Sequence, residues 1–554
     1  MIRARLGRLF VASLVATTSI IALGLSASQA ATTLPVLHLG IDGPFVGCNP
    51  VAQRTSSATQ LLLSLVLPET TMVQSGAVIS PASSAIEQAE VVSLSPMKVV
   101  YTLRPHATWS DGRPISIKDF IATWHEGARG SAPTSDQYGL IASITPVTNQ
   151  NGSIEVLFSK PASGWRDLFN PLMPASTVAG SKTCVLPDPD IDLSGGPYLI
   201  ASVTPTTATL VVNPLWQGTP PLFSAIIVSL TTPSTIRNLS QPGSAAILST
   251  NNPSLVVGNG VSSLATVKSS STFSNSLISV DFQTRTGVCK IRQIRVALAD
   301  LLRRQGLVSV VAGPYVSGMQ SAMSHFWTQG MINYSGTATP LTAPAGVNAP
   351  SAANQIYDPV LAGHNLHLLG YTKQHGRWLN RHGGQLRISL AVQSSDAWAN
   401  SVARHLVVQW GGHGIGVSVV HVGNVSQAEK GLRHGQFDAA VVVRPTTPFI
   451  NETARWYLPS PMGNASALWS GYRDKAITAI LSQAEGNMNP QDAATLYQSI
   501  DTRLWVTMSS LPIMVEPTFL VTSATLRGVV SDPYPPGLVS MMGQWAIASS
   551  SPGN

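Results

Sequence analysis

Apolar runs of strand length predict β-strands near both ends of the chain. Val36 to Ile41 is almost continuously apolar and stops at Asp42-Gly43-Pro44, which predicts a buried strand followed by a turn. Apolar and polar residues alternate from Leu386 to Val392, and a second strand pattern follows at Gly416 to Val420 after a helical segment. Strand, helix and strand in this order predict a parallel crossover, the building unit of α/β proteins.

The segment from Val99 to Trp124 predicts a hairpin that leads into a capped helix. Apolar residues alternate from Val99 to Leu103 as in a half-buried strand, and Asp111-Gly112 tolerates the positive φ of a tight turn. Ser116 is a favourable N-cap, and Asp119 three residues later completes a variant of the capping box. We therefore expect a helix to begin directly after Ser116.

Further periodic segments predict the remaining elements. Strands are predicted at Thr209 to Val212, Ala225 to Leu230, Ser279 to Phe282, Asp438 to Val443 and Leu511 to Val515. Helices are predicted at Thr59 to Leu67, Ile294 to Leu302, Trp398 to Gln409, Arg473 to Ala484 and Pro490 to Leu504. Gly330 to Asn354 is rich in Thr, Ala, Pro and Gly and has no period, which predicts a surface loop.

The N-terminal residues predict export from the cytoplasm. Several arginines precede an apolar run from Leu9 to Leu25, and Ser28-Gln29-Ala30 fits a cleavage site, so residues 1–30 are predicted to be a signal peptide. The alternative is an uncleaved membrane anchor, because the run approaches the roughly 20 apolar residues that a spanning helix needs. We expect the rest of the chain in the periplasm or on the extracellular face of the cytoplasmic membrane.

The length, charge and cysteine content of the chain limit what kind of protein it can be. A chain of 554 residues exceeds what one hydrophobic core usually covers, so two or more lobes are expected. The formal charge of +7 comes from scattered Lys and Arg, without a basic run interleaved with aromatic residues. This pattern argues against a nucleic-acid partner. Three cysteines in an exported chain allow one disulfide bond, with three possible pairings.

The order and content of these segments resemble the family 5 extracellular solute-binding proteins, which include dipeptide-, oligopeptide- and nickel-binding components of bacterial ABC importers. The most specific match is Tyr101 to Pro114 with Asp119-Phe120 and Trp124, which is similar to the family's strand ending in Leu-Arg, an aromatic residue, Asp-Gly and Pro before a helix. Other stretches agree in the same order: Gly196-Pro197-Tyr198 with Asn213-Pro214, Ile294 to Leu298, and Gly414 to Val417. The resemblance covers nearly the whole mature chain.

The resemblance implies an α/β fold with mixed sheets and flanking helices, in the two-lobe arrangement of type II periplasmic binding proteins of the large peptide-binding class. Residues 31–280 and 516–554 would form the first lobe, and residues 281–515 the second. The chain would cross near Ser279 to Phe282 and return near Leu511 to Glu516. A ligand in the cleft between the lobes would favour the closed state at a hinge.

These lobe limits select one cysteine pairing. Cys48 and Cys184 both fall in the first lobe, whereas Cys289 falls where the chain enters the second lobe. A disulfide bond between Cys48 and Cys184 is therefore expected.

The resemblance also indicates candidate ligand contacts at the end of a strand. Peptide binders of the family follow the strand at Asp438 to Val443 with an aromatic residue and an Asp-Tyr pair, whose carboxylate holds the α-amine of the ligand. Here Arg444 stands near the aromatic position and Thr447 near the acidic one. Because a hydroxyl cannot replace a charge-assisted bond, a peptide held by its amine is in doubt, and Arg444 would favour a carboxylate or phosphate. The alternative is a solvated arginine. The neighbouring candidates are Thr446 and Phe449.

Two further candidate contacts lie elsewhere in the chain. Trp398 opens a helix that follows a strand, and a helix N-terminus at the carboxyl end of a strand is where ligands meet open α/β sheets. Asn49 lies in the turn after the first strand.

The sequence contains only weak motifs for catalysis or metal binding. Ser95 to Lys98 has the S-x-x-K spacing of penicillin-interacting serine enzymes, but it leads into a strand, and no S-D-N or K-T-G follows. His364 and His367 lie on one helix face near two other histidines, yet carboxylate ligands are scarce around them. We predict no catalytic residue, no metal site and no cofactor.

The sequence therefore predicts a transport receptor rather than an enzyme. A monomer would capture a peptide or similar small organic solute between two lobes and deliver it to the membrane permease of an ABC importer. Two alternatives stay open: a secreted envelope hydrolase of the penicillin-interacting serine type, and a solute-binding scaffold used for sensing or envelope assembly.

Overall fold

A computed structural model of the chain describes residues 34–548, with gaps at residues 54, 75–77, 81–83, 131, 133, 179–192, 233–234, 237–238, 240, 242–243, 257–260, 262–266, 332, 335–356, 459–469 and 535–536. The predicted signal peptide, Cys184 and most of the predicted loop at 330–354 lie outside the described residues. In the described part of the chain, the helices are too short or too polar to cross a membrane.

The strands of the described residues are β1 Val36–Ile41, β2 Met72–Gln74, β3 Val78–Ser80, β4 Ile86–Leu94, β5 Met97–Leu103, β6 Ile141–Pro146, β7 Ser153–Phe158, β8 Tyr198–Val203, β9 Thr207–Val212, β10 Ala225–Leu230, β11 Ala245–Thr250, β12 Val267–Phe282, β13 Thr372–Gln374, β14 Arg377–Leu379, β15 Arg387–Gln393, β16 Gly416–Val422, β17 Ala439–Pro445, β18 Ser510–Ser523, β19 Leu526–Arg527 and β20 Ala546–Ile547.

The helices are α1 Ser57–Ser64, α2 Ile117–Arg129, α3 Ser135–Tyr138, α4 Ala175–Val178, α5 Pro253–Val256, α6 Arg292–Asp300, α7 Arg304–Val311, α8 Pro359–Leu368, α9 Ala397–Gly412, α10 Val425–Arg433, α11 Ile450–Ala454, α12 Lys475–Gly486 and α13 Pro490–Thr507. Short 3-10 helices cover Ser163–Asp167, Val288–Lys290 and Gly537–Gln544.

The predicted capped helix is confirmed at α2. The backbone N–H of Ser116 donates to Asp119 Oδ2 at 2.8 Å, as the capping box requires. The other carboxylate oxygen of Asp119 accepts from the N–H of Ala175 at 2.9 Å, so the cap also anchors α4.

A ten-stranded sheet in the order β16-β15-β17-β12-β18-β11-β1-β10-β9-β8 contains most of the strand residues of the described part of the chain. β15 pairs in parallel with β16 and with β17, so the predicted parallel crossover through α9 is confirmed. β1 pairs in parallel with β10 and β11, and the two central strands β12 and β18 are antiparallel. A separate four-stranded sheet has the order β4-β5-β7-β6.

The central strands are longer than the sequence predicted. β12 has 16 residues where only Ser279 to Phe282 was predicted, and β18 has 14 where Leu511 to Val515 was predicted. The first half of β12 is largely exposed and rich in Ser, so it lacks the apolar alternation that indicates a strand.

β12 changes its neighbour halfway along. Its first half pairs only with β18, whose far end also pairs with β11, and its second half lies between β18 and β17. A register shift between Phe273 and Leu277 marks the change. The chain thus passes from the β11 side of the sheet to the β17 side shortly before the crossing predicted at Ser279 to Phe282. The lobe limits themselves stay a prediction.

Three large apolar clusters form the core. The first packs the β1 side of the large sheet against the four-stranded sheet, with the rings of Tyr101, Phe120 and Phe169 within 5.6 Å of one another. The second surrounds β15, β17, α6 and α9. The third joins Val73 and Tyr534 of the predicted first lobe to Phe326 and Phe449 of the predicted second lobe.

Candidate ligand site

The carboxyl ends of the parallel strands point toward the middle of β12 and β18 from both sides. Thr250, at the end of β11, pairs with Phe519 of β18, and Pro445, at the end of β17, pairs with Ser276 of β12. Both positions lie next to the register shift of the central strands. Ligands of open α/β sheets bind outside the carboxyl ends of strands, so a ligand site is expected in this zone.

A group of carboxylates, Asp42, Asp396 and Glu516, lies in this zone, and we call it the hinge carboxyl group. Asn251 joins two of its members, because its side-chain amide donates to Glu516 at 2.9 Å while its backbone N–H donates to Asp42 at 2.5 Å. Glu516 is only 5% exposed. Burial raises its pKa well above the ordinary value, and the charges of Asp396 and Asp42 raise it further.

Trp398, a predicted ligand contact, connects the two sides of this zone. Its indole N–H donates to the backbone oxygen of Asn251, which ties the start of α9 to the loop after β11. The ring is 4% exposed and meets Tyr315 edge-on, with 5.5 Å between centroids. The indole donor is therefore occupied within the protein.

Arg444, the main predicted contact, is buried in an ion pair. It is 1% exposed, and its Nη2 lies 2.6 Å from Asp281 Oδ2 and 3.7 Å from Glu429 Oε1. The guanidinium also lies over the rings of Trp456 and Tyr457. The alternative of a solvated arginine is wrong, because the side chain is almost completely removed from solvent. Its contact with a ligand stays a prediction, and Nε and Nη1, which have no hydrogen-bond partner among the described residues, are the guanidinium atoms left for such a contact.

The other predicted contacts also bond within the protein. The Thr446 hydroxyl donates to the backbone oxygen of Asn275 at 3.0 Å, and the Thr447 hydroxyl donates to that of Phe449 at 3.0 Å. Phe449 is 9% exposed and belongs to the third apolar cluster. Asn49, at 7% exposure, accepts from the N–H of Ala52 at 3.2 Å and stabilises its own turn. Of the predicted contacts, those from Arg444 to Phe449 lie together because they are consecutive in the chain. Trp398 and Asn49 bond to other parts of the protein.

A second polar group lies where α3 and the 3-10 helix Ser163–Asp167 meet α11 to α13, and sequence analysis missed it. We call it the polar cluster; its members are Asp136, Gln137, Asp167, Asn451, Arg455 and Glu485. Arg455 Nε lies 3.3 Å from Asp136 Oδ2, and its Nη2 is paired with Glu485. A Cβ on Gly164 would lie 2.6 Å from Asn451 Nδ2, so this glycine permits the close approach of the helices.

Several polar atoms in and around this cluster are buried without a hydrogen-bond partner among the described residues. They are Ser135 Oγ, Gln137 Oε1, Asp167 Oδ2, Asn170 Oδ1 and Tyr497 OH. Leaving one such atom unpaired costs about 1–3 kcal/mol, so native structures normally supply a partner. All five atoms accept hydrogen bonds, so donors on a bound molecule or water would satisfy them.

The polar cluster carries an excess of acidic groups. Asp136 and Glu485 pair with the buried Arg455, and the charge of Lys160, which is exposed, also acts on Glu485. Asp167 accepts from Asn451 and lies near Glu452. Burial raises the pKa of Asp167 well above its ordinary value, the charge of Glu452 raises it further, and a hydrogen bond from Asn451 offsets part of the effect. Burial also raises the pKa of Glu485. A cation in this place would stabilise the ionised carboxylates.

The cysteines agree in part with the predicted disulfide bond. Cys48 is disulfide-bonded and fully buried, and Cys289 is a free, buried thiol whose pKa burial raises. Cys184 lies outside the described residues, so its pairing with Cys48 stays a prediction.

Comparison with known proteins identifies relatives along nearly the whole chain. The chain is 22% identical to the probable monoacyl phosphatidylinositol tetramannoside-binding protein LpqW of Mycobacterium tuberculosis, over 92% of this chain and 90% of LpqW. It is 23% identical to the oligopeptide-binding protein OppA of Mycobacterium bovis, over 79% of this chain and 72% of OppA. Among solved structures, the periplasmic EDTA-binding protein EppA superposes with a TM-score of 0.78 at 19% identity, over 96% of this chain and all of EppA.

The family itself is established by a match to residues 85–463, which fit the sequence model of the bacterial extracellular solute-binding proteins, family 5 Middle. The large mixed sheet and flanking helices agree with the two-lobe periplasmic-binding-protein fold of the peptide and nickel class. The chain belongs to the family 5 bacterial extracellular solute-binding proteins, the solute-binding components of ABC importers.

Proposed function

We propose that this protein is an exported receptor that captures a small organic cation, such as a peptide with a free amine, and delivers it unchanged to the permease of an ABC importer. Residues 1–30 would direct export, and the mature chain would act as a monomer. The observation that carries the ligand class is the polar cluster, where acidic groups outnumber the buried cation and several acceptors lack partners.

The chemistry of the cluster favours an ammonium group. An ammonium carries three donors and a positive charge, so it would satisfy buried acceptors and stabilise ionised Asp167 at once. Hydrogen bonds between charged partners are roughly twice as strong as neutral ones. An anionic ligand would instead meet the carboxylates of Asp136, Asp167 and Glu485.

The location of the polar cluster supports capture of a ligand by closure of the two predicted lobes around it. Asp136, Gln137 and Asp167 belong to the predicted first lobe, and Asn451, Arg455 and Glu485 to the predicted second lobe. A ligand held by both sets of residues binds the closed state better than the open state, which is the condition for a ligand to drive closure.

The ligand class is tested by thermal shift and titration calorimetry with trialanine, N-acetyl-trialanine and succinate. We expect trialanine to bind and the other two compounds to fail, because only trialanine presents a free ammonium. At about 100 times its dissociation constant, a ligand stabilises the folded state by about 2.7 kcal/mol. Equal binding of the acetylated peptide, or binding of succinate alone, would overturn the proposal. Mass spectrometry of recovered trialanine checks that it leaves the protein intact.

A further inference from the structure

A cavity of about 820 Å³ lies apart from the polar cluster and the hinge carboxyl group, and none of their members line it. Its walls come from several separate parts of the chain. They are residues 64–73 at and after the end of α1, residues 84–87 at the start of β4, residues 104–108 and 115 between β5 and α2, the turns at 195–198 and 215–222 around β8 and β9, and residues 539–545. Ligand pockets in proteins usually measure about 300–1,000 Å³, so the volume suits a small molecule.

The walls of this cavity are mainly apolar and aromatic. Trp545 is 5% exposed and packs edge-on against Phe223, with 6.4 Å between ring centroids. Met72 and Leu215 line the cavity with 42% and 37% of their surface exposed, and Trp216 lies beside Leu215. These side chains offer an apolar surface that a bound molecule would remove from water.

Two polar groups in the cavity are free to donate hydrogen bonds. The indole N–H of Trp545 is buried and has no partner among the described residues, whereas that of Trp216 already donates to the backbone oxygen of Thr219 at 2.9 Å. Glu69 is half-buried, and burial raises its pKa to about 8. At neutral pH its carboxyl group is therefore mostly protonated and acts as a donor.

The mouth of the cavity has no strong charge of either sign. Arg104 and Glu87 are both exposed there, so their opposite charges balance. With an apolar body, two donors and a balanced rim, the cavity suits an uncharged molecule with acceptor oxygens better than an ion.

We propose that this cavity is a second binding site, which takes an uncharged amphiphile with its hydrocarbon part against Met72, Leu215 and Trp216 and its carbonyl or hydroxyl oxygens on Trp545 and Glu69. The site is independent of the proposed capture of a cation, because the two share no residue.

Titration calorimetry with 1-monolauroylglycerol below its micelle concentration tests the site, with dodecyltrimethylammonium as the charged comparison. We expect saturable binding of one monolauroylglycerol per chain and at least tenfold weaker binding of the ammonium amphiphile. Failure of monolauroylglycerol to bind, or equal binding of the two amphiphiles, would overturn the proposal.

A blocking variant locates the binding. Gly543 lines the cavity, and a Cβ built there meets nothing within 4 Å, so we expect the ring of Gly543→Phe to occupy the open space at this wall without a clash. Gly411→Phe in α9 is the matched control, because its Cβ also meets nothing within 4 Å and it lies outside the cavity. We expect Gly543→Phe to abolish binding of monolauroylglycerol and to leave that of trialanine unchanged, whereas Gly411→Phe changes neither. Binding retained in Gly543→Phe would contradict the site.

The role of Glu69 gives a separate pH test. If the protonated carboxyl group donates to the ligand, affinity for monolauroylglycerol falls about tenfold from about pH 7 to about pH 9, because the donor is lost above its pKa. Glu69→Gln keeps a donor of similar shape that does not titrate, so its affinity should stay constant over this range. The same fall in both proteins would exclude Glu69 as the donor.

Discussion

Arg455 and Asp136 form a buried ion pair between elements of the two predicted lobes, with Nε 3.3 Å from Oδ2 and side-chain exposures of 4% and 3%. Because desolvation offsets much of the attraction in such a pair, its contribution to net stability is small. If the two predicted lobes close on a ligand as proposed, this pair would fix their relative position, and the acidic groups around it would select the ligand.

Removal of the Asp167 charge is expected to weaken binding of an ammonium ligand. Asp167→Asn keeps the shape and one acceptor but loses the charge, so affinity for trialanine should fall at least tenfold, or about 1.4 kcal/mol. Titration calorimetry measures the change. Glu90→Gln, which removes an exposed charge on β4, serves as the control and should bind as the wild type does. Equal affinities in all three proteins would exclude Asp167 from the site.

Asp167 should also couple ligand binding to a proton. Its raised pKa means that it holds a proton more readily in the free protein, and an ammonium ligand favours its ionised form. Binding of trialanine should therefore release a proton, and affinity should rise as the pH increases toward the raised pKa. Calorimetry in two buffers with different ionisation enthalpies detects the proton. If Asp167→Asn releases as many protons as the wild type, the proton has another source.

Glu516 is expected to make stability depend on pH. Its pKa is raised in the folded state, so its contribution to stability is fully present below the unfolded value of 4.5 and is lost as the pH rises through the raised pKa. Glu516→Gln keeps an oxygen for Asn251 and does not titrate. The free energy of unfolding in urea should match the wild type in acid and exceed it above the raised pKa. A constant difference at every pH would argue against this titration.

The variant Arg444→Ala tests whether Arg444 stabilises the fold or contacts the ligand. Arg444→Ala leaves Asp281 and Glu429 buried without their cation, which should lower the free energy of unfolding by about 3–5 kcal/mol. If the role of Arg444 is structural alone, the folded fraction should bind trialanine with unchanged affinity. A tenfold loss of affinity, measured at a temperature where the variant is folded, would instead support the contact predicted from the sequence. Arg444→Ala with Asp281→Ala should be less destabilised than the sum of the single variants.

Trp398 is expected to control the balance between open and closed states. Trp398→Phe removes the hydrogen bond to Asn251 and keeps a ring beside Tyr315. Loss of one such bond costs about 0.5–1.5 kcal/mol, so the closed state should become about 2- to 10-fold less populated. Small-angle scattering should show a larger radius of gyration without ligand, with a matching rise in the dissociation constant. An unchanged radius and affinity would mean that this bond does not affect closure.

Elements with a strong local signal were predicted well from the sequence. Ala225 to Leu230 was predicted with the bounds that the structure shows, and the helix after Ser116 begins at Ile117, as predicted. The sequence missed α10, because only four of its nine residues are buried and its apolar face is too short to give a period. It also missed the exposed half of β12 for want of apolar residues.

The polar cluster could not be predicted from one sequence. Asp136, Asp167, Arg455 and Glu485 are far apart along the chain, and each stands in ordinary local sequence. Only the approach of α3 and the 3-10 helix Ser163–Asp167 to α11 and α12 brings these charged side chains together. The burial of Arg444 was missed for a related reason: its partner Asp281 lies on a strand whose pairing with β17 the sequence does not reveal.

The position of β18 also determines when the fold can be completed. This strand lies between β11 and β12, and all 14 of its residues are buried, yet it begins only at Ser510. Until the last part of the polypeptide is available, two inner strands keep rows of unpaired N–H and C=O groups, to which other chains can pair. Because these contacts join segments that are distant in sequence, folding should be slow. A chain cut before Ser510 should aggregate rather than leave two working halves.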